Sequence, residues 1–211
     1  AMSRLAADRR ALQAVTEQVA FMTLVTTLPI GVGISALAGS LAALLFPSFL
    51  STSRILEILI WHAVVMMVGN AYGQQMIVQG RQRVLLAISM CGLALNIALN
   101  LVLLPAVGVT GASISILIAQ SAMLGMYLLA NPAGPGRGRP LFGRALRIWG
   151  AGASMWGAML ILRPVSPILA GVAGMLVYGG GVIVSRALTP DDWGMLRRAI
   201  EAFPVVGWRL A

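Results

Sequence analysis

The chain has 211 residues, of which 59% are apolar and only 10% charged, where a soluble domain carries roughly 25% charged residues. All fifteen basic groups are arginine, six carboxylates oppose them, and the formal charge is +9. This excludes a soluble fold, and it excludes a nucleic-acid surface, which would gather its arginines on a polar domain instead of spacing them between long uncharged stretches. The single cysteine, Cys91, allows neither an internal disulfide nor a thiolate cluster for zinc or iron–sulfur chemistry.

Residues 1–19 form a polar amphipathic leader, expected on the cytoplasmic side. The apolar run behind it is far longer than the ~7–15 residues of a signal-peptide core, which excludes that reading. Crossing about 30 Å of hydrocarbon takes about 20 helical residues. The first span is expected near 20–46, as one kinked helix through Pro29, Gly31 and Gly33, and the second near 57–79. The long uncharged stretch 84–136 must be divided. Its break is expected at Leu104-Pro105-Ala106-Val107-Gly108, where proline removes a backbone donor and glycine relaxes the turn, giving spans 84–104 and 109–130. A fifth helix, 145–162, reaches span length with Arg144 and Arg147 at headgroup level, where their long side chains snorkel. The sixth runs over 167–186, and residues 187–211 are a cytoplasmic tail in which Asp191 and Asp192 read as a solvated turn. The fold class is all-α: a polytopic transmembrane bundle of about six helices.

Arginine placement tests this count, because cytoplasmic loops collect positive charge. Thirteen of the fifteen fall on one side, Arg54 and Arg163 being the exceptions, so both chain ends are expected in the cytoplasm. Arg81, Arg83, Arg144 and Arg147 mark the cytoplasmic boundary, where they can meet membrane-lipid headgroups.

Polar residues inside the spans are the candidates for function. His62, Asn70 and Gln74, with Met66 in the same four-residue rhythm, fall near one face of the second helix. They either satisfy neighbouring helices or line a substrate passage. Asn96 and Asn100 on the third helix and Gln120 on the fourth read as interhelical polar contacts, and Gly108, Gly111, Ala112 and Ser115 as small residues for close helix approach. No carboxylate lies mid-span, and the one histidine has no nucleophile beside it in sequence, so the chain is not expected to be an enzyme, nor to hold a metal or cofactor. A coupling ion, proton or sodium, is left open.

The runs Tyr72-Gly73-Gln74-Gln75-Met76-Ile77-Val78-Gln79-Gly80-Arg81, Gly92-Leu93-Ala94-Leu95-Asn96-Ile97-Ala98-Leu99-Asn100 and Leu103-Leu104-Pro105-Ala106-Val107-Gly108-Val109-Thr110-Gly111 resemble the second half of polysaccharide-biosynthesis flippases. These belong to the multidrug/oligosaccharidyl-lipid/polysaccharide exporter superfamily. The resemblance implies a C-terminal bundle of a two-bundle exporter in the bacterial inner membrane. On that resemblance it would move a polyprenyl-pyrophosphate-linked glycan outward by alternating access, for lipopolysaccharide or exopolysaccharide synthesis. Its partners would be the missing first bundle or glycan-assembly proteins, with no nucleic acid, and its passage candidates are Arg54, His62, Asn70 and Gln74. A peptidoglycan-precursor flippase, a cation-coupled multidrug exporter and a non-transporting scaffold of glycan assembly stay open as alternatives.

Overall fold

The computed structural model describes residues 9–45, 52–131 and 139–189, together with Asp192 and Gly194. Among them are six helices, α1 (Arg9–Leu45), α2 (Thr52–Val78), α3 (Gln82–Val107), α4 (Val109–Ala130), α5 (Arg139–Leu162) and α6 (Pro167–Val184), and no strand. Each is long and apolar enough to cross a membrane. The chain is thus an all-helical, multi-pass membrane protein.

Four of the six helices run longer than hydropathy alone indicates, α4 has the expected bounds, and α6 ends two residues earlier than expected. α1 starts at Arg9 instead of near residue 20, because Leu12, Thr16 and Ala20, spaced by four, are all buried and carry the helix down the side of the bundle. Its 37 residues extend about 55 Å at 1.5 Å each, well beyond the hydrocarbon thickness. Pro29 sits inside this helix and has no N–H to give the Val25 carbonyl four residues back. The Tyr178 hydroxyl of α6 donates to that carbonyl instead, at 2.8 Å. A proline is tolerated mid-membrane only when a neighbour satisfies the group it frees. Tyr178→Phe should therefore cost about 1–2 kcal/mol by orphaning a buried acceptor, read as lowered resistance to unfolding in detergent.

α3 also passes through its proline, Pro105, and ends at Val107, three residues beyond the expected Leu104, with Gly108 as its cap. Gly108 adopts φ 69° and ψ −151°, a backbone conformation favouring glycine, and caps both α3 and α4. The chain reverses there with a single linking residue.

α1 and α2 pack along each other at the centre; α5 and α6 flank α1, while α3 and α4 flank α2. Two apolar clusters result. One joins Phe21, Val25, Leu28 and Val32 of α1 to Ile148, Met155 and Met159 of α5 and to Tyr178 and Val182 of α6. The other joins Met76 of α2, Ile88 of α3 and Tyr127 of α4. Glycines seat the neighbouring helices: a Cβ on Gly31 would stand 2.9 Å from Val64, one on Gly152 2.9 Å from Leu28, and one on Gly174 2.6 Å from Met159. Lipid tails are as apolar as leucine, so such close approach replaces the hydrophobic drive that holds a soluble core. Leu86, Met90, Leu93, Ile97 and Leu101 form an outward apolar stripe on α3 that suits contact with lipid.

Candidate functional site

A residue repeated every four positions turns by about 40° per step on a straight α-helix, so His62 and Gln74 point about 120° apart. The predicted stripe on α2 accordingly splits. Asn70 and Gln74 line a hollow of 390 Å³ between α2 and α1, together with Leu12, Val15, Thr16, Val19 and Thr23 of α1 and Gln75 of α2. His62 does not line it; it is half-buried, and its Nδ1 is enclosed with no hydrogen-bond partner among the described residues. Beside it, Trp61 stacks on Trp149 of α5, with ring centroids 5.8 Å apart.

The hollow has three side-chain amides. Asn70 and Gln74 are exposed, whereas Gln75 is only 6% exposed. Thr16 and Thr23 donate to the carbonyls of Leu12 and Val19 at 2.9 Å each, which leaves their oxygens able to accept. Sequence reading overlooked Gln75, Thr16 and Thr23. The first is hidden beside Gln74, and the threonines count as ordinary residues of an amphipathic leader until α1 is known to begin at Arg9.

Two further hollows, of 340 and 600 Å³, lie higher on α1 against α5 and α6. They are lined on α1 by Ile30, Gly33, Ile34, Leu37, Leu41 and Leu44. At 100° per residue these positions fall on the same face as Leu12, Thr16, Val19 and Thr23. A single face of α1 thus lines three hollows, one polar-flecked at the end holding Arg81, Arg144 and Arg147 and two apolar ones beyond.

The other predicted positions do different work. Arg54 is exposed near the start of α2, far along the helix from Asn70. Asn96 and Asn100 pair with each other: Asn100 Nδ2 donates to Asn96 Oδ1 at 2.8 Å along α3, a pairing that the i, i+4 spacing favours. Gln120 of α4 does face α2, its Nε2 lying 3.7 Å from where a Gly69 Cβ would stand. Arg81 Nη1 donates to the Ala130 carbonyl at 2.9 Å, closing the last turn of α4, and Arg83 is exposed. Arg147 Nη1 donates to the Ser185 carbonyl at 3.2 Å.

Arg144 belongs to a cluster that corrects the expected solvated turn. Asp192 is fully buried and pairs with the Arg144 guanidinium. It also accepts from the Thr189 amide (2.7 Å), the Thr189 hydroxyl (2.8 Å) and Gln18 Nε2 (3.2 Å). Arg144 Nε further donates to the Ala187 carbonyl at 2.9 Å, and its guanidinium carbon sits 4.2 Å from the Phe21 ring centroid. Burial by itself raises the Asp192 carboxyl, but the Thr189, Gln18 and Arg144 contacts outweigh it and hold the group below its ordinary 3.8. The segment after α6 is thereby strapped to α1 and α5. The spacing Thr189-x-x-Asp192, a capping-box arrangement, was the available signal; Asp191 lies outside the described residues.

Compared with known proteins, the chain matches no family model, no curated sequence and no solved structure.

Proposed function

We propose that this chain is one bundle of a transporter that flips a polyprenyl-linked oligosaccharide across a bacterial inner membrane by alternating access. The observation that carries the reading is the row of three hollows along one face of α1, from the amide-lined one beside Thr16 to those beside Leu37 and Leu44. Such a route lowers the cost of moving a hydrated headgroup through hydrocarbon while its lipid tail stays in the bilayer. No bond is made or broken. The excess of arginine at one end supports a cytoplasmic location for the hollow and for both chain ends, so that loading occurs from the leaflet where lipid-linked glycans are assembled. A second bundle would close the open side of this row.

Deleting the gene should abolish glycan display while lipid-linked units accumulate on the cytoplasmic face; normal display would overturn the proposal. Asn70→Leu should slow transport about tenfold, the equivalent of one or two lost hydrogen bonds. His62→Leu, outside the hollow, should leave the rate within about twofold. Both variants should insert normally, as shown by membrane fractionation.

A further inference from the structure

At the end of the bundle opposite Arg144, a cation stands beside an apolar cavity. Arg163, the first residue after α5, is exposed; its Nη1 donates to the Ala36 carbonyl of α1 at 3.4 Å, and it pairs with no carboxylate among the described residues. The helical partner of that carbonyl is the amide of Ser40, four residues on. Ser40 lines the 600 Å³ hollow, as does Ser166, three residues beyond Arg163, so the guanidinium stands at the rim of this hollow. Arg144 marks the other boundary, where it meets the Phe21 ring and shares the Asp192 carboxylate with Gln18. Phe21 and Gln18 precede Ala36 by about 15–18 residues of α1, or ~23–27 Å, close to the ~30 Å of a hydrocarbon core. Arg163 is therefore at headgroup depth in the leaflet opposite the arginine-rich boundary.

Inward from Arg163 the chemistry changes in one direction. The hydroxyls of Ser40 and Ser166 come first; Leu37 and Gly171, which border both hollows, then lead into the 340 Å³ one, where no polar side chain lines the wall and Met155, Met159 and Met175 do. Methionines flex to fit an irregular apolar guest. Cation, hydroxyls and apolar slot follow the order of phosphate, glycerol esters and acyl chain in a phospholipid, and a guanidinium offers its forked donors to a phosphate. A basic group between transmembrane helices is a site for anionic headgroups. Residues 46–51, which follow α1 at this end, bring no charged group to compete for Arg163. We propose that this face holds one anionic phospholipid of that leaflet, its phosphate on Arg163, its esters beside Ser40 and Ser166 and one acyl chain in the methionine-lined hollow. The site does not depend on the transport reading; where that reading holds, the lipid fills the two apolar hollows between cycles and yields them to the substrate.

The test uses the full chain in phosphatidylethanolamine nanodiscs with two photoreactive probes, phosphatidylglycerol and phosphatidylcholine, each with a diazirine at the end of one acyl chain. Labelled residues are mapped by mass spectrometry and scaled to the outward stripe of α3, which meets bulk lipid. Phosphatidylglycerol should label residues 30–37, 155–159 and 171–175 about tenfold above phosphatidylcholine, the worth of one charge-assisted hydrogen bond. Arg163→Leu should bring it down to the phosphatidylcholine level, while Arg163→Lys, which keeps the cation, should retain the preference. Arg54→Leu, which removes an exposed arginine that does not line either hollow, should change nothing. A Cβ on Gly171 would meet only Leu37 Cδ1, at 3.9 Å, so Gly171→Phe has room to fill the slot and should remove the labelling of residues 155–159 by both probes. Equal labelling by the two probes in the wild type, or phosphatidylglycerol labelling unchanged in Arg163→Leu, would overturn the proposal. Glycan display in the deletion strain tests transport alone: normal display sinks that reading and leaves the lipid site to be decided by the probes.

Discussion

Asp192→Ala is expected to destabilise the folded bundle by about 2–3 kcal/mol, the scale for removing a hydrogen-bonded ionic partner from a buried site. The substitution leaves the Thr189 amide, the Gln18 amide and the Arg144 guanidinium without their shared acceptor. Arg144 is 18% exposed and turns partly to water, which keeps the loss below that of a fully enclosed charge. Unfolding in detergent, with Arg144→Ala and the double variant completing the cycle, measures the coupling; additive losses would show that the pair contributes nothing beyond its separate contacts. The same group sets an acid limit. Because the folded carboxyl titrates below 3.8, its stabilisation is complete above the unfolded value and is lost as the pH falls from there through the folded one. Wild-type melting temperature should accordingly fall more steeply below about pH 4 than that of Asp192→Asn.

Gly111→Ala is the second large effect. A methyl there would fall on the Leu103 carbonyl of α3, 2.6 Å from its carbon, at the point where α3 and α4 meet across Gly108. A backbone group cannot rotate away as a side chain does, so the hairpin must open. Overpacking of this kind costs about 3 kcal/mol, and the better helix propensity of alanine returns about 1. The net loss of about 2 kcal/mol should appear as reduced yield of folded protein and a lower melting temperature. Gly125→Ala on the same helix meets no atom within 4 Å and should be neutral or slightly stabilising. Equal behaviour of the two would refute the close α3–α4 approach.

The number of spans was legible because the bilayer imposes one requirement, about 20 apolar residues each, and the arginines punctuate the runs that meet it. The ends were less legible. Tertiary packing pulled residues 9–19 into α1, and Gly108, not Pro105, ended α3, since a proline near a helix end loses little while a positive φ needs glycine. At the site, Asn70 and Gln74 stood out as polar residues in apolar runs. Periodicity by itself joined them to His62, which the drift of a four-residue repeat carries to another face.

What the sequence alone determined is therefore what depends on a single helix meeting its solvent: the all-α class, the six spans, and the arginine-rich boundary. What only the tertiary structure decided depends on two helices meeting each other. Gln75 and Thr16 belong to one hollow because α1 lies against α2; the Val25 carbonyl left by Pro29 finds Tyr178 because α6 lies against α1. Asp192, read from its neighbours as a solvated acid, is instead buried by Gln18 and Arg144, 174 and 48 residues away. Hydropathy sums over local stretches of chain, whereas burial of a polar group is fixed by partners distant in sequence, and that is why the spans could be read and the site could not.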